Sequence, residues 1–232
     1  MDTSLYAALG LGFLLGIRHA MDADHVAAVS TLVSQHRSLS RSCLLGTFWG
    51  LGHTLALLAA GIATIALRLS ISPELEKAFE RGVGCMLVLL GAHVLLRSLG
   101  TWRLHAHEHP HGDHSHRHLH LHLGGPPGHR HAHLLRMGGR PFLVGLLHGM
   151  AGSAALMLLV AAAIPSPVGG LLYILVFGAG STMGMLVLSG LIGLPFVVAA
   201  DRSRSTLVFI QILSGVTSSV LGLMLLWAPL HA

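Results

Sequence analysis

Six stretches of the chain, at about 4–34, 42–67, 79–99, 141–164, 168–194 and 206–228, are long and mostly apolar. A helix needs roughly 20 such residues to cross the hydrocarbon core of a bilayer. No other feature limits the fold as strongly. It predicts an all-α integral membrane protein with about six transmembrane helices. Composition agrees: charged residues are 10% of the 232, and the mean hydropathy is +0.71. A soluble domain carries about 25% charged residues, so this chain cannot cover itself with polar surface. The formal net charge of +5 does not point to nucleic acid. The arginines sit mainly in short connections between apolar runs, as membrane topology requires. Cys43 and Cys85 lie in different apolar runs and form no CxxC, so neither a disulfide framework nor a zinc site is expected. The opening residues, MDTSLYAALG, lack the basic region of a signal peptide, and the first apolar run is expected to be kept.

Orientation follows from the basic residues in the connections. The connections 35–41, 97–140 and 201–205 hold ten arginines, whereas the opposite side has only Arg68, Lys77 and Arg81. The long middle connection is therefore expected in the cytoplasm, with both termini outside, in a bacterial inner membrane. That connection, 100–140, contains twelve of the nineteen histidines in HAHEHPHGDHSHRHLHLHLGGPPGHRHAH. It has too little apolar content to pack a core, and a disordered segment is predicted. Neutral imidazole binds Zn, Cu, Ni and Co, so weak, exchangeable metal contacts are expected along it.

Weak self-similarity divides the chain. GIRHAMDADHVAAV from Gly16 aligns with GLLHGMAGSAALML from Gly145; GLGHT at 50–54 aligns with GAGST at 178–182; GCMLVLLG at 84–91 aligns with GVTSSVLG at 215–222. Three matches in one order, at nearly constant offset, suggest a duplication: residues 1–99 as one three-helix repeat and 141–232 as the second. An odd number of spans per half inverts the second half, the 3+3 inverted repeat common in secondary transporters, whose binding sites lie between the halves near the midplane.

Of nine acidic residues only Asp22 and Asp24 fall inside an apolar segment. A charge at the bilayer centre costs at least about 2.5–3.5 kcal/mol on insertion scales, so such residues mark function by default. Compensation would come from Arg18, a bound cation, protonation or cavity water. On a regular helix His19, Asp22 and His25 share one broad face and Asp24 points away. For His19, Asp24 and His25 to meet one ion, the helix must unwind or break. The run 4–34 then forms either one broken helix or a span plus a re-entrant half-helix. Two imidazoles with one or two carboxylates suit a borderline divalent ion such as Ni²⁺, Co²⁺ or Zn²⁺ better than Ca²⁺ or Mg²⁺. The other reading of these groups is a buried ion-pair network that locks helices. His53 in FWGLGHT and His148 in LLHGMAGSAAL are further candidates to bind the ion or line its route, as is Ser153; His93 is expected to be structural. Met21, Met150, Met183 and Met185 are expected to pack. GxxxG pairs such as Gly12/Gly16 and Gly145/Gly149 would let helices approach closely.

The segment RHAMDADHVAAVS resembles the signature of the nickel/cobalt transporter (NiCoT/NicO) family: His, four residues, then Asp-His, here His19, Asp24 and His25. FWGLGHT is similar to that family's later histidine motif, and LLHGMAGSAAL and FGAGSTMGM resemble its shorter, nickel-permease-like branch, sometimes described as urease-accessory membrane proteins. The larger members have eight spans where six are counted here. Their second-half Asp/Thr motif is absent, with Ser153 and Ser181 in comparable places.

The resemblance implies a secondary transporter of Ni²⁺ or Co²⁺, importer or exporter. The ion would be cargo rather than cofactor, its ligands drawn from His19, Asp22, Asp24, His25, His53, His148 and Ser153. Expected partners are the divalent ion and the lipid bilayer, with a cytoplasmic metallochaperone or a nickel-enzyme maturation pathway as a further partner, and no nucleic acid. Two other classes compete. An intramembrane metalloenzyme would need a motif such as HExxH, which is absent. A serine-type site would need a third residue to orient His148 and Ser153, and none is evident. A docking partner that hands nickel on without moving it would show no flux in liposomes.

Overall fold

The computed structural model describes residues 3–68, 72–100, 103–111, 114–122, 134–151, 160–161 and 163–227. Seven α-helices are described: α1 (Thr3–His19), α2 (Ala23–Val33), α3 (Leu39–Gly61), α4 (Pro73–Gly100), α5 (Leu134–His148), α6 (Pro167–Arg202) and α7 (Arg204–Trp227). A short π-helical turn, Ile62–Ala66, prolongs α3. Four helices are long and apolar enough to cross a membrane: α3 with its extension, α4, α6 and α7; α1 and α2 are shorter apolar helices. Large apolar side chains such as Leu14, Leu89, Leu96, Leu191 and Phe209 stand exposed on their outer faces. A water-facing surface rarely shows so much contiguous apolar area, whereas lipid accepts it.

The first apolar run is broken, as the acidic motif required. α1 stops at His19, the chain turns through Ala20, Met21 and Asp22, and α2 starts at Ala23. The break is not a reversal. A Cβ at Gly12 would strike Tyr173, one at Gly16 would strike the carbonyl of Phe177, and one at Gly184 would strike Ala20. Further along, the nearest approach at Gly193 includes Val33. Both α1 and α2 therefore run alongside α6 in its own direction, and the run is one interrupted span. α6 itself has 36 residues, about 54 Å at 1.5 Å per residue, so it extends past the expected end at 194.

The fourth expected run, 141–164, is described only in part. α5 ends at His148, a turn follows at 149–150, and residues 152–159 lie outside the described set. α5 follows α3 in parallel, because a Cβ at Gly145 would strike the carbonyl of Trp49 and one at Gly149 the carbonyl of His53. α4 and α7 pack antiparallel through glycine on glycine: Gly84 lies against Gly222, and Gly91 against Gly215. Small residues here replace side-chain interdigitation with direct backbone approach.

The middle connection is described in part. Its backbone pairs Arg103–His111 with His114–His122 as a two-stranded antiparallel hairpin. Histidine at every second position through 105–111 and 114–122 has the two-residue period of a strand.

One end of the bundle gathers the arginine-bearing connections. There Arg97 donates to Gln35 Oε1, and Gln211 reaches the carbonyl of Ser34 at 2.8 Å. The buried apolar residues fall into two clusters. One, towards the arginine-bearing end, includes Val29, Val33, Leu45 and Trp49; the other, towards the opposite end, includes Leu57, Tyr173, Ile174 and Phe177. A polar centre lies between Trp49 and Phe177.

Candidate metal centre

The break after His19 shapes this centre. Asp22 occupies the N-cap position of α2, with φ −61° and ψ 148°, yet it makes no side-chain cap. An Asp at that position normally accepts from the first free N–H groups of its own helix. Here its carboxylate turns back to His19, with Oδ2 at 2.8 Å from Nδ1. A neutral imidazole carries one N–H, so giving Nδ1–H to Asp22 leaves His19 Nε2 as a lone pair. That nitrogen stands 3.0 Å from Nε2 of His53, in the middle of α3.

Asp24 and His25 open α2. Asp24 Oδ1 accepts from the backbone N–H of His25 at 2.9 Å and faces His25 Nδ1 at 3.1 Å. Its Oδ2 lies 2.9 Å from Nε2 of His148, the last residue of α5. Asp24 thus ties α2 to the end of α5. The remaining nitrogens, His25 Nε2, His148 Nδ1 and His53 Nδ1, have no hydrogen-bond partner among the described residues, and all three are buried. Most buried polar atoms are satisfied, so three orphaned imidazole nitrogens in one cluster invite an electrophile.

Four imidazoles from four elements converge. The rings of His19 and His25 have centroids 4.4 Å apart, and those of His25 and His148 are 4.2 Å apart. His19 is 7% exposed and the other three 1%. Two sets of three could each hold an ion: His19, His25 and His53, and Asp24, His25 and His148. Within each set, one ligand atom per residue lies within 4.8 Å of the others. His25 belongs to both. α1 and α5 each end at a histidine here, so two helix C-termini direct their partial negative charge at the centre.

Of the residues expected from sequence, His19, Asp22, Asp24, His25, His53 and His148 all meet at this centre. Ser153 lies outside the described residues. Arg18 is exposed, and the side-chain partners of the Asp22 and Asp24 carboxylates among the described residues are imidazoles. His93 is exposed, away from the cluster. Sequence reasoning did not single out Trp49 or Phe177. The Trp49 ring lies 5.2 Å from that of His25 and 5.5 Å from that of His148, and Phe177 lies 5.5 Å from His19. Their signal was membership of motifs already noted: Trp49 lies inside FWGLGHT, one turn before His53, and Phe177 opens FGAGSTMGM.

Comparison with known proteins adds an independent finding. A family model described as NicO, high-affinity nickel-transport protein, matches residues 5–211. The chain is 42% identical over 226 residues to the urease accessory protein UreH of Bacillus sp. (strain TB-90), covering 96% of this chain and 91% of that protein. It is 25% identical over 187 residues to the Arabidopsis thaliana chloroplast protein FOR GROWTH AND FERTILITY 2, covering 80% of this chain and 46% of the plant protein. It is 28% identical over 184 residues to the chloroplast protein FOR GROWTH AND FERTILITY 1 of the same plant, covering 78% and 48%. No solved structure gives a significant match.

Proposed function

The chain belongs to the NicO high-affinity nickel-transport family, and from that premise we propose that it is a secondary transporter carrying Ni²⁺ or Co²⁺ through the His/Asp centre, near the bilayer midplane. The observation that carries the proposal is the convergence of four buried imidazoles, three of which have a nitrogen with no hydrogen-bond partner among the described residues. A divalent ion entering a bilayer must replace its lost water. Imidazole nitrogens do this well for borderline ions and poorly for Mg²⁺ or Ca²⁺. Asp22 and Asp24 orient the rings and supply the counter-charge, the arrangement that tunes metal-bound histidines generally.

A 3+3 inverted repeat gives the centre its means of opening to either side. The contacts support it. The sequence match pairs α1 with α5, α3 with α6 and α4 with α7. Under that exchange Gly16 against Phe177 becomes Gly145 against Trp49, and Gly180 against Phe13 becomes Gly52 against Phe142. Gly50 against Thr182 becomes Gly178 against Thr54, and Gly84 against Gly222 becomes Gly215 against Gly91. The ring pair His19–Phe177 becomes His148–Trp49, each at 5.5 Å. Rocking of one half against the other about these glycine contacts would expose the ion alternately.

The arginine-bearing end is assigned to the cytoplasm of a bacterial inner membrane by the positive-inside rule. The chain is then not an enzyme, and its cargo would pass to or from a cytoplasmic nickel pathway. Ion flux in proteoliposomes tests the reading. Ni²⁺, Co²⁺, Zn²⁺ and Mn²⁺ are compared for the natural protein and for His19→Ala. Nickel or cobalt flux lost in the variant is expected; equal flux in both proteins would remove the assigned site. Loading the ion inside or outside gives the direction.

A further inference from the structure

A cavity of about 840 Å³ opens in the arginine-bearing half of the bundle, walled by α2, α3, α4 and α5. Gln35, His36, His93 and Arg140 give it polar groups, and Leu45 and Val144 give it apolar wall. Its depth follows from the helices. Leu45 lies one turn before Trp49 on α3. Val144 lies one turn before His148 on α5. Thr31, also in the wall, follows His25 by less than two turns on α2. The cavity therefore lies on the arginine-bearing side of the imidazole cluster, and Trp49, one turn beyond the wall residue Leu45 on α3, packs against His25 and His148 of that cluster.

Trp49 is fully buried, against His25 and His148. Its indole Nε1 has no hydrogen-bond partner among the described residues. Buried tryptophans usually find a partner for that N–H, and a purely apolar filler would fit the spot without the penalty. The N–H gains a partner when the ring swings towards a wet, polar-lined space.

We propose that this cavity is the passage by which the hydrated cation moves between the imidazole cluster and the arginine-bearing end, and that the Trp49 indole plugs its inner mouth. The proposal rests on the transport reading above. His36 and His93 offer nitrogen donors along the way. Burial, then the charge of Arg41, lowers the pKa of His36 below the ordinary imidazole value, so the ring is neutral and open to a cation. Phe177 takes the corresponding place against His19, within the other apolar cluster, towards the opposite end of the bundle.

Thiol labelling in proteoliposomes tests this without any metal. In a Cys43→Ser/Cys85→Ser background, Val144→Cys reports the cavity, and Ser181→Cys, fully buried one turn beyond Phe177 on α6, reports the far side of the plug. A membrane-impermeant methanethiosulfonate is added at the arginine-bearing side. The thiol at 144 is expected to react, and the thiol at 181 to be protected. Adding Trp49→Ala should make the thiol at 181 react about tenfold faster, the change that ~1.4 kcal/mol of lost plug stability produces; Trp49→Phe and Phe177→Leu should not. Trp49→Leu replaces Trp49→Ala if the alanine variant does not fold. A thiol at 144 that reacts only in detergent would mean a lipid-filled cavity, and no acceleration at 181 would mean that Trp49 is no plug; either result overturns the proposal. Because labelling needs no ion, expected labelling without nickel flux would defeat the transport reading instead, whereas flux without that labelling would defeat the passage.

Discussion

His19 and His53 face each other Nε2 to Nε2 at 3.0 Å, from the end of α1 and the middle of α3. Two nitrogens at that distance share a hydrogen bond or a metal ion, and Asp22 decides which nitrogen His19 offers. With Nδ1–H held by the carboxylate at 2.8 Å, Nε2 is the lone pair. Asp22→Asn keeps the shape and removes the charge. A carboxylate that holds a metal-binding imidazole in this way is worth about 10–100-fold in metal affinity. Titration of the purified variant with Ni²⁺ should show a loss in that range with the fold unchanged. Full affinity in Asp22→Asn would mean that His19 is oriented by something else.

His25 is common to both ligand sets, whereas His53 and His148 each belong to one. His25→Ala should therefore abolish tight nickel binding, while His53→Ala and His148→Ala each leave a weakened site with a different donor set. X-ray absorption at the nickel edge distinguishes them: His53→Ala should retain a carboxylate oxygen, and His148→Ala should lean towards nitrogen. Equal losses in all three variants would point to a single site that needs every ring.

Protons and metal ions compete for the same nitrogens. The imidazoles must be neutral to bind, so affinity is full at alkaline pH and falls as pH drops through the range in which these buried rings take up protons. More than one ring is involved, so the fall should be steeper than one proton per ion. Isothermal titration in buffers of different ionisation enthalpy counts the protons released. Affinity unchanged across the whole acidic range in which the fold survives would exclude the histidines as ligands.

The site was largely legible in the sequence because two carboxylates inside an apolar run cannot be neutral features of a membrane helix. The same argument demanded a break, since Asp24 and His19 face apart on a regular helix. It could not say whether the chain reverses there. That depends on the glycines of α1 meeting α6, a contact between residues some 160 positions apart. Trp49 and Phe177 were illegible for another reason: an aromatic in an apolar run reads as core, and only the fold sets it against an imidazole.

The glycine contacts supply the test of the repeat itself. A Cβ at Gly16 would strike the carbonyl of Phe177, and one at Gly145 the carbonyl of Trp49, whereas Gly10 and Gly139 have open space around theirs. Both pairs are equivalent positions under the proposed exchange of halves. Alanine at 16 or 145 must push two backbones apart, and such overpacking costs about 1–3 kcal/mol. Alanine at 10 or 139 meets nothing and gains helix propensity, worth up to about 1 kcal/mol over glycine. Thermal unfolding in detergent should therefore fall for Gly16→Ala and Gly145→Ala by comparable amounts, and hold or rise for Gly10→Ala and Gly139→Ala. The pairing is the point: two halves built alike must suffer alike. If Gly16→Ala collapsed the protein while Gly145→Ala left it untouched, the halves would not be equivalent, and rocking about matched glycine seams would lose its basis.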